Sequence, residues 1–269
     1  MKKSILALFL VFALAFSLAA CGGNVGNNQT ADKETPAKDF EWEIISGGLK
    51  ITKYNGNAKN VVIPSIIENQ KVISLGDAFT GNVVVESLVL SEYHTEVTSK
   101  NCNLKECDNL KTLKCPRTTK FDGTSAPALE TLELSKVEDY ELSYFEAFIT
   151  SIKKINLPAA KVIKNEYGRT LVYTKLEEVT LAVEPKYYVY RRGGNETHTA
   201  DGYNFELEEG RKDYIAMLCP ENDINKYHFE GRNMENYTYH EITDSNRAQI
   251  YCDFFGVDSI TVNGTKYTK

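Results

Sequence analysis

The sequence predicts a mainly β fold: a short, irregular solenoid of stacked parallel strands with β-rich caps at both ends and a minor helix. Three observations predict it. A six-residue pattern (apolar, two variable, apolar, one variable, apolar) recurs at 58–63, 85–90, 110–115, 129–134, 152–157 and 176–181, its starts 27, 25, 19, 23 and 24 residues apart. The last four residues of each copy alternate, which suits a short strand with one buried face. The second position reads Lys59, Glu86, Lys111, Glu130, Lys153 and Glu177, so its charge changes sign at every step.

The N-terminus comes first. Met1-Lys2-Lys3 precedes an uncharged apolar run over 5–16, and then Leu18-Ala19-Ala20-Cys21. That order is a signal peptide, assigned to 1–20. The run is shorter than the ~20 residues a transmembrane helix needs. Leu18-Ala19-Ala20-Cys21 resembles the lipobox of bacterial lipoproteins. The resemblance implies cleavage before Cys21 and diacylation of its thiol, hence an extracytoplasmic protein held to a cell membrane by lipid. One acyl chain anchors marginally, whereas two approach stable anchoring. Residues 21–39 follow as the lipidated Cys and a linker with one aliphatic β-branched side chain, Val25, and no aromatic. Such a stretch has too little apolar surface to offset its ordering entropy and reads as a flexible spacer.

Residues 40–57 form the N-terminal cap: Phe40, Trp42 and Ile44 alternate before Ser46-Gly47-Gly48, a hairpin signal. Residues 58–183 are the solenoid. The period lies within the roughly 20–29 residues of leucine-rich repeats. No copy closes its apolar side alone, so stacking must do it. That places Val61, Leu88, Leu113, Leu132, Ile155 and Val179 in one interior column, and Ile63, Leu90, Cys115, Leu134, Leu157 and Leu181 in another. In a parallel ladder the alternating Lys/Glu column brings opposite charges within about 4.8 Å along the stack. Pro64, Pro116 and Pro158 follow three copies and end the ladder there, having no N–H to give.

The motifs resemble those of a family. Tyr54-Asn55-Gly56, Val61-Val62-Ile63-Pro64 and Val72-Ile73-Ser74-Leu75-Gly76-Asp77-Ala78-Phe79 are similar to BspA-type leucine-rich repeats, and Cys107-Asp108-Asn109-Leu110 is similar to that family's Cys-x-x-Leu step. The likeness spans about residues 48–183. It implies a surface or secreted protein of the kind implicated in adhesion and host contact.

Residues 184–256 interrupt the pattern as a modified repeat or insert. Lys186 to Arg192 reads as an aromatic strand before Gly193-Gly194, with 203–207 as its expected hairpin partner. Residues 214–218 read as an apolar strand stopped by Pro220, and 221–229 as a short helix. Residues 257–269 carry the terminal repeat strand, with a last copy at 257–262.

Without Lys2 and Lys3 the 31 basic residues become 29 against 37 acidic, a balance of −8. That makes nucleic acid a poor partner. Five cysteines besides Cys21 cannot all pair within one chain. Cys102, Cys107 and Cys115 match no common zinc spacing, and the repeat makes Cys107 and Cys115 small core residues. Whether Cys219 and Cys252 pair stays open. The four histidines form no His-x-x-x-His or His-Glu-x-x-His pair. Neither a Gly-x-Ser-x-Gly string nor a phosphate loop occurs. The calcium-like string over 197–208 starts with Thr197 where the loop needs Asp, and is rejected. The candidate binding cluster is Tyr187, Tyr188, Tyr190, Arg191 and Arg192, residue types enriched in binding hot spots. They could equally pack on the capping core. The expectation is a monomeric, non-enzymatic module without cofactor or metal that binds a protein or glycan. A structural envelope role and a cell-wall-polymer enzyme are the alternatives.

Overall fold

Strand pairing in a computed structural model builds the protein from three main sheets; the structure describes residues 33–121, 126–141, 151–165, 175–181, 186–191, 214–219 and 237–269. Residues 1–32, which hold the expected signal peptide, Cys21 and most of the expected linker, lie outside the described residues, as do 203–207 and 221–229.

After a 3₁₀ turn at Ala37–Asp39, β1 (Phe40–Ile45) and β2 (Gly48–Tyr54) form an antiparallel hairpin. The ladder starts at β3 (Asn60–Val62). A second hairpin follows, β4 (Ile66–Ile67) and β5 (Gln70–Ser74), and β5 lies parallel to β2. The cap is therefore a four-stranded sheet, β1-β2-β5-β4. It extends past the 40–57 hairpin into the stretch the sequence assigned to the solenoid. Gly48 is required here, because a Cβ would run into the Lys71 carbonyl. Phe40, Tyr54 and Phe79 stack with centroids 5.3 Å apart at each step and close the cap's core.

From there the chain alternates between two walls. β6 (Ser87–Val89), β8 (Thr112–Cys115), β10 (Thr131–Leu134), β12 (Lys154–Leu157) and β14 (Glu178–Leu181) extend the ladder that begins at β3. On the opposite wall, β7 (Glu96–Val97) pairs with β9 (Lys120–Phe121), and β11 (Asp139–Glu141) with β13 (Val162–Asn165), again in parallel. The ladder register is Val61, Leu88, Leu113, Leu132, Ile155, Val179, one residue per turn. All six side chains are buried, as are Ile63, Leu90, Cys115, Leu134, Leu157 and Leu181. Burying about 25 cal/mol per Å² of apolar surface across this shared interior drives the stack.

Three expectations need correction. The spacer does not reach residue 39, because Thr35 is buried against β3. Lys186–Arg191 forms β15, but its antiparallel partners are β16 (Tyr214–Cys219) and β17 (Tyr237–His240), one on each edge. β16 also pairs with β13, so the region after the repeats extends the second wall rather than the ladder. The C-terminus, finally, is more than a strand. An α-helix, α1 (Arg247–Phe255), precedes β18 (Ser259–Val262), which pairs parallel with β14, and β19 (Thr265–Thr268) folds back antiparallel on β18. Aligned as a seventh copy, Ile260 would face Val179; instead Val262 does. A two-residue slip keeps the same side chains inward, because the strand period is two. The Asn263-Gly264 turn, with φ of 50° and 81°, makes the fold-back possible.

Candidate functional site

Among the described residues the ladder is the sheet with the most strands, and its outer face carries the alternating charges. At each junction the second-position carbonyl accepts two amide protons from the next turn. Lys59 O accepts from Glu86 and Ser87, Glu86 O from Lys111 and Thr112, Lys111 O from Glu130 and Thr131, Glu130 O from Lys153 and Lys154, and Lys153 O from Glu177 and Glu178, at 2.7–3.1 Å. This shared geometry fixes where the charged side chains emerge. Lys59 Nζ lies 2.6 Å from Glu86 and Lys153 Nζ 3.1 Å from Glu130. Beside that column Lys154 meets Glu178 at 2.8 Å and Lys114 meets Glu133 at 3.8 Å. The opposite wall repeats the device with Glu96–Lys120 at 2.8 Å, Glu138–Lys161 at 3.0 Å and Asp139–Lys164 at 2.7 Å. Every one of these pairs joins successive turns. The Lys59–Glu86 contact holds the Glu86 carboxyl below its usual range. The charges therefore compensate one another along both walls, and the sites are exposed enough for each pair to contribute at most ~1 kcal/mol.

The aromatic cluster falls on the second wall. Tyr187, Tyr188, Tyr190 and Arg191 lie on β15, and Arg192 lies outside the described residues. Backbone register sets Tyr188 opposite Tyr239 and Tyr190 opposite Tyr237, with Tyr187 opposite His240. The sequence reading missed that second tyrosine strand, Tyr237-Thr238-Tyr239-His240, although its alternation of aromatic residues is a strand signal.

Among the residues whose side chains are described, the cysteines and His94 are buried. Cys102, Cys107, Cys115 and Cys252 are free, buried thiols, so no disulfide joins Cys252 to Cys219. Burial pushes the Cys102 thiol up to about 12 and that of Cys107 to about 11, and drives Cys115 well above the ordinary value. Cys107 Sγ donates to the Phe79 carbonyl at 2.9 Å. His94 is buried, and burial holds its ring near 4, so it is neutral at physiological pH. Among the described residues no group of three His, Cys, Asp or Glu side chains is placed to hold a metal ion. No described helix is long and apolar enough to cross a membrane. A shallow polar cleft of roughly 390 Å³ lies where Lys175 and Glu177 meet Val257 and Asp258.

No protein-family model matches the chain, and no curated protein matches it. Among solved structures, a leucine-rich-repeat protein of T. pallidum is similar with a TM-score of 0.36 and 20% sequence identity, covering 57% of this chain and 74% of that one.

Proposed function

We propose that the chain is a non-enzymatic binding scaffold of the BspA-type leucine-rich-repeat class, tethered outside the cytoplasm by lipid on Cys21. One observation carries the reading. Six parallel strands in consecutive register, β3 to β14, and a seventh, β18, slipped by two residues, spend their apolar side chains on a common interior and lay the alternate ones along a continuous outer ribbon. A quasi-one-dimensional array of this kind supplies a long surface without a central cavity, which suits contact with a protein or glycan rather than turnover of a small molecule. The candidate contact residues are Tyr187, Tyr188, Tyr190, Arg191 and Arg192; β15, which carries the first four, pairs with the strand that carries Tyr237 and Tyr239. Tyr supplies contact area at low conformational cost, and Arg is enriched in binding hot spots.

Two experiments test this. Expression of the full chain in a bacterial host with labelled palmitate should label it, and Cys21→Ala should abolish the label. Labelling that survives the substitution would remove the anchor from the reading. The full chain on lipid vesicles can then be screened against cell-wall glycans and host matrix proteins. Tyr188→Ala with Arg191→Ala should weaken any ligand found at least tenfold. Turnover of a wall polymer by the vesicle-bound chain would replace the scaffold with an enzyme, and a blank screen with an altered envelope on deletion would favour a structural role.

A further inference from the structure

Residues 91–97 turn from the ladder toward the second wall, and this corner buries a polar side chain. His94 is 1% exposed. The Ser91 hydroxyl donates to the Val72 carbonyl at 2.6 Å. A hydroxyl has one proton, so the 2.8 Å contact between Ser91 Oγ and His94 Nδ1 requires the imidazole to donate. The ring is therefore the Nδ1–H tautomer, and Nε2 is a bare acceptor. Nε2 is buried and has no hydrogen-bond partner. An unpaired lone pair in a dry site is tolerable, whereas a charged ring with an unpaired N–H is costly.

The corner is bound to its neighbours through the same residues. The Tyr93 amide donates to Ser91 Oγ at 3.3 Å. Thr118 Oγ1 donates to the His94 carbonyl at 2.8 Å. The Thr95 carbonyl accepts from the amides of Thr119 and Lys120 at 2.8 and 3.3 Å. The charged and titratable groups on the packed elements are occupied or outward. Lys71 sits over the Tyr93 ring at 4.9 Å, Glu96 pairs with Lys120 at 2.8 Å, Glu92 and Arg117 are exposed, and Cys115 is a buried neutral thiol.

We propose that Ser91 and His94 form an acid-released latch, in which a solvent proton taken up at Nε2 creates a donor without an acceptor and opens the 91–97 corner from the 118–121 segment beside it. The imidazole ionises near 6.5 when free and near 4 in the closed corner, through burial. A depressed histidine favours the closed form fully above the free value. Closure weakens as pH falls from 6.5 toward 4, and no further below. At pH 5 the open fraction should be about 30-fold higher than at neutral pH by that linkage.

Hydrogen exchange on the full chain, corrected for intrinsic rates, reads the opening. Segments 91–97 and 118–121 should lose protection by about 30-fold between pH 7.5 and pH 5, while 131–134 and 154–157 hold theirs. His94→Asn keeps a donor near the Nδ1 position but cannot ionise, and its exchange should be flat across this range. An equal acid response in that variant, or equal loss in the two control segments, would overturn the latch. Should the variant not fold, histidine ¹⁵N resonances of the native chain decide. A neutral Nδ1–H ring persisting below pH 5 supports the latch; an Nε2–H ring, or titration near 6.5, refutes it.

Discussion

Thr35 closes the open edge of the ladder by binding Val62 twice. Its amide donates to the Val62 carbonyl at 2.9 Å, and its hydroxyl accepts from the Val62 amide at 3.0 Å. Glu34 adds an acceptor for the Ser65 amide at 2.8 Å. The first strand of a stack has no earlier turn to pair with, and exposed strand edges invite pairing with other chains. Thr35→Val keeps the shape but strands the Val62 amide. It should cost about 1–2 kcal/mol in urea unfolding. Thr35→Ser retains the acceptor and should stay within about 1 kcal/mol of the native chain. Equal losses for both would mean that packing, and not the hydrogen bond, seals this edge.

The Lys154–Glu178 pair can be tested without a third charge in its row. The ladder neighbour of Lys154 is Thr131, and that of Glu178 is Thr261. Lys154→Glu should destabilise by about 1 kcal/mol at low salt, and less in high salt. The exchange Lys154→Glu with Glu178→Lys should recover most of that loss. A double-mutant cycle in urea gives the coupling. No recovery would mean that this ion pair contributes nothing to holding the two turns in register.

The interior columns and the charge alternation were legible because a stacked strand repeats its environment once per turn. Val61, Leu88, Leu113, Leu132, Ile155 and Val179 can be read in order from the sequence for that reason. What was hidden is whatever happens once. The Thr35 seal looks like linker, since one threonine among polar residues carries no period. The α1 helix was missed although Ile250, Tyr251, Phe254 and Phe255 are spaced for one helical face and Gly256 supplies its left-handed stop at φ 70°. In sequence that segment reads as the end of the 184–256 interruption, where no repeat sets its period. Asn263-Gly264 is a strong hairpin signal, and it went unread because the last copy was taken to end the chain as a single strand. The partner of β15 was misassigned because pairing across a long intervening stretch leaves no local pattern.

Leu113 tests the column itself. It sits between Leu88 and Leu132 in register and is fully buried. Leu113→Ala removes apolar surface and leaves a cavity that two flanking turns must line. A loss of about 2–5 kcal/mol is expected, a large share of the stability of a domain this size. In an array whose turns contact only their neighbours, the damage should be local. Hydrogen exchange should accelerate first at 87–89 and 131–134 and last at β18. Uniform acceleration would show that the stack unfolds as one cooperative unit instead.

The core thiols give a chemical test of how tightly the solenoid is closed. Alkylation and disulfide exchange need the thiolate. Burial is the main cause that lifts Cys102 from 9.0 to about 12, so at pH 8 it holds about a thousandfold fewer thiolates than a free cysteine. Cys107 and Cys115 shift the same way for the same reason. Reagent access is blocked as well, because all three side chains are at most 2% exposed. With modification mapped residue by residue, Cys102, Cys107 and Cys115 should stay unmodified by a maleimide at pH 8 in the native chain and react within minutes in denaturant. Rapid native labelling at Cys115 would mean that the second interior column opens on that timescale. Protection would explain how three unpaired cysteines persist in a chain proposed to work in an oxidising space: they are kept reduced by burial, with no need of a partner.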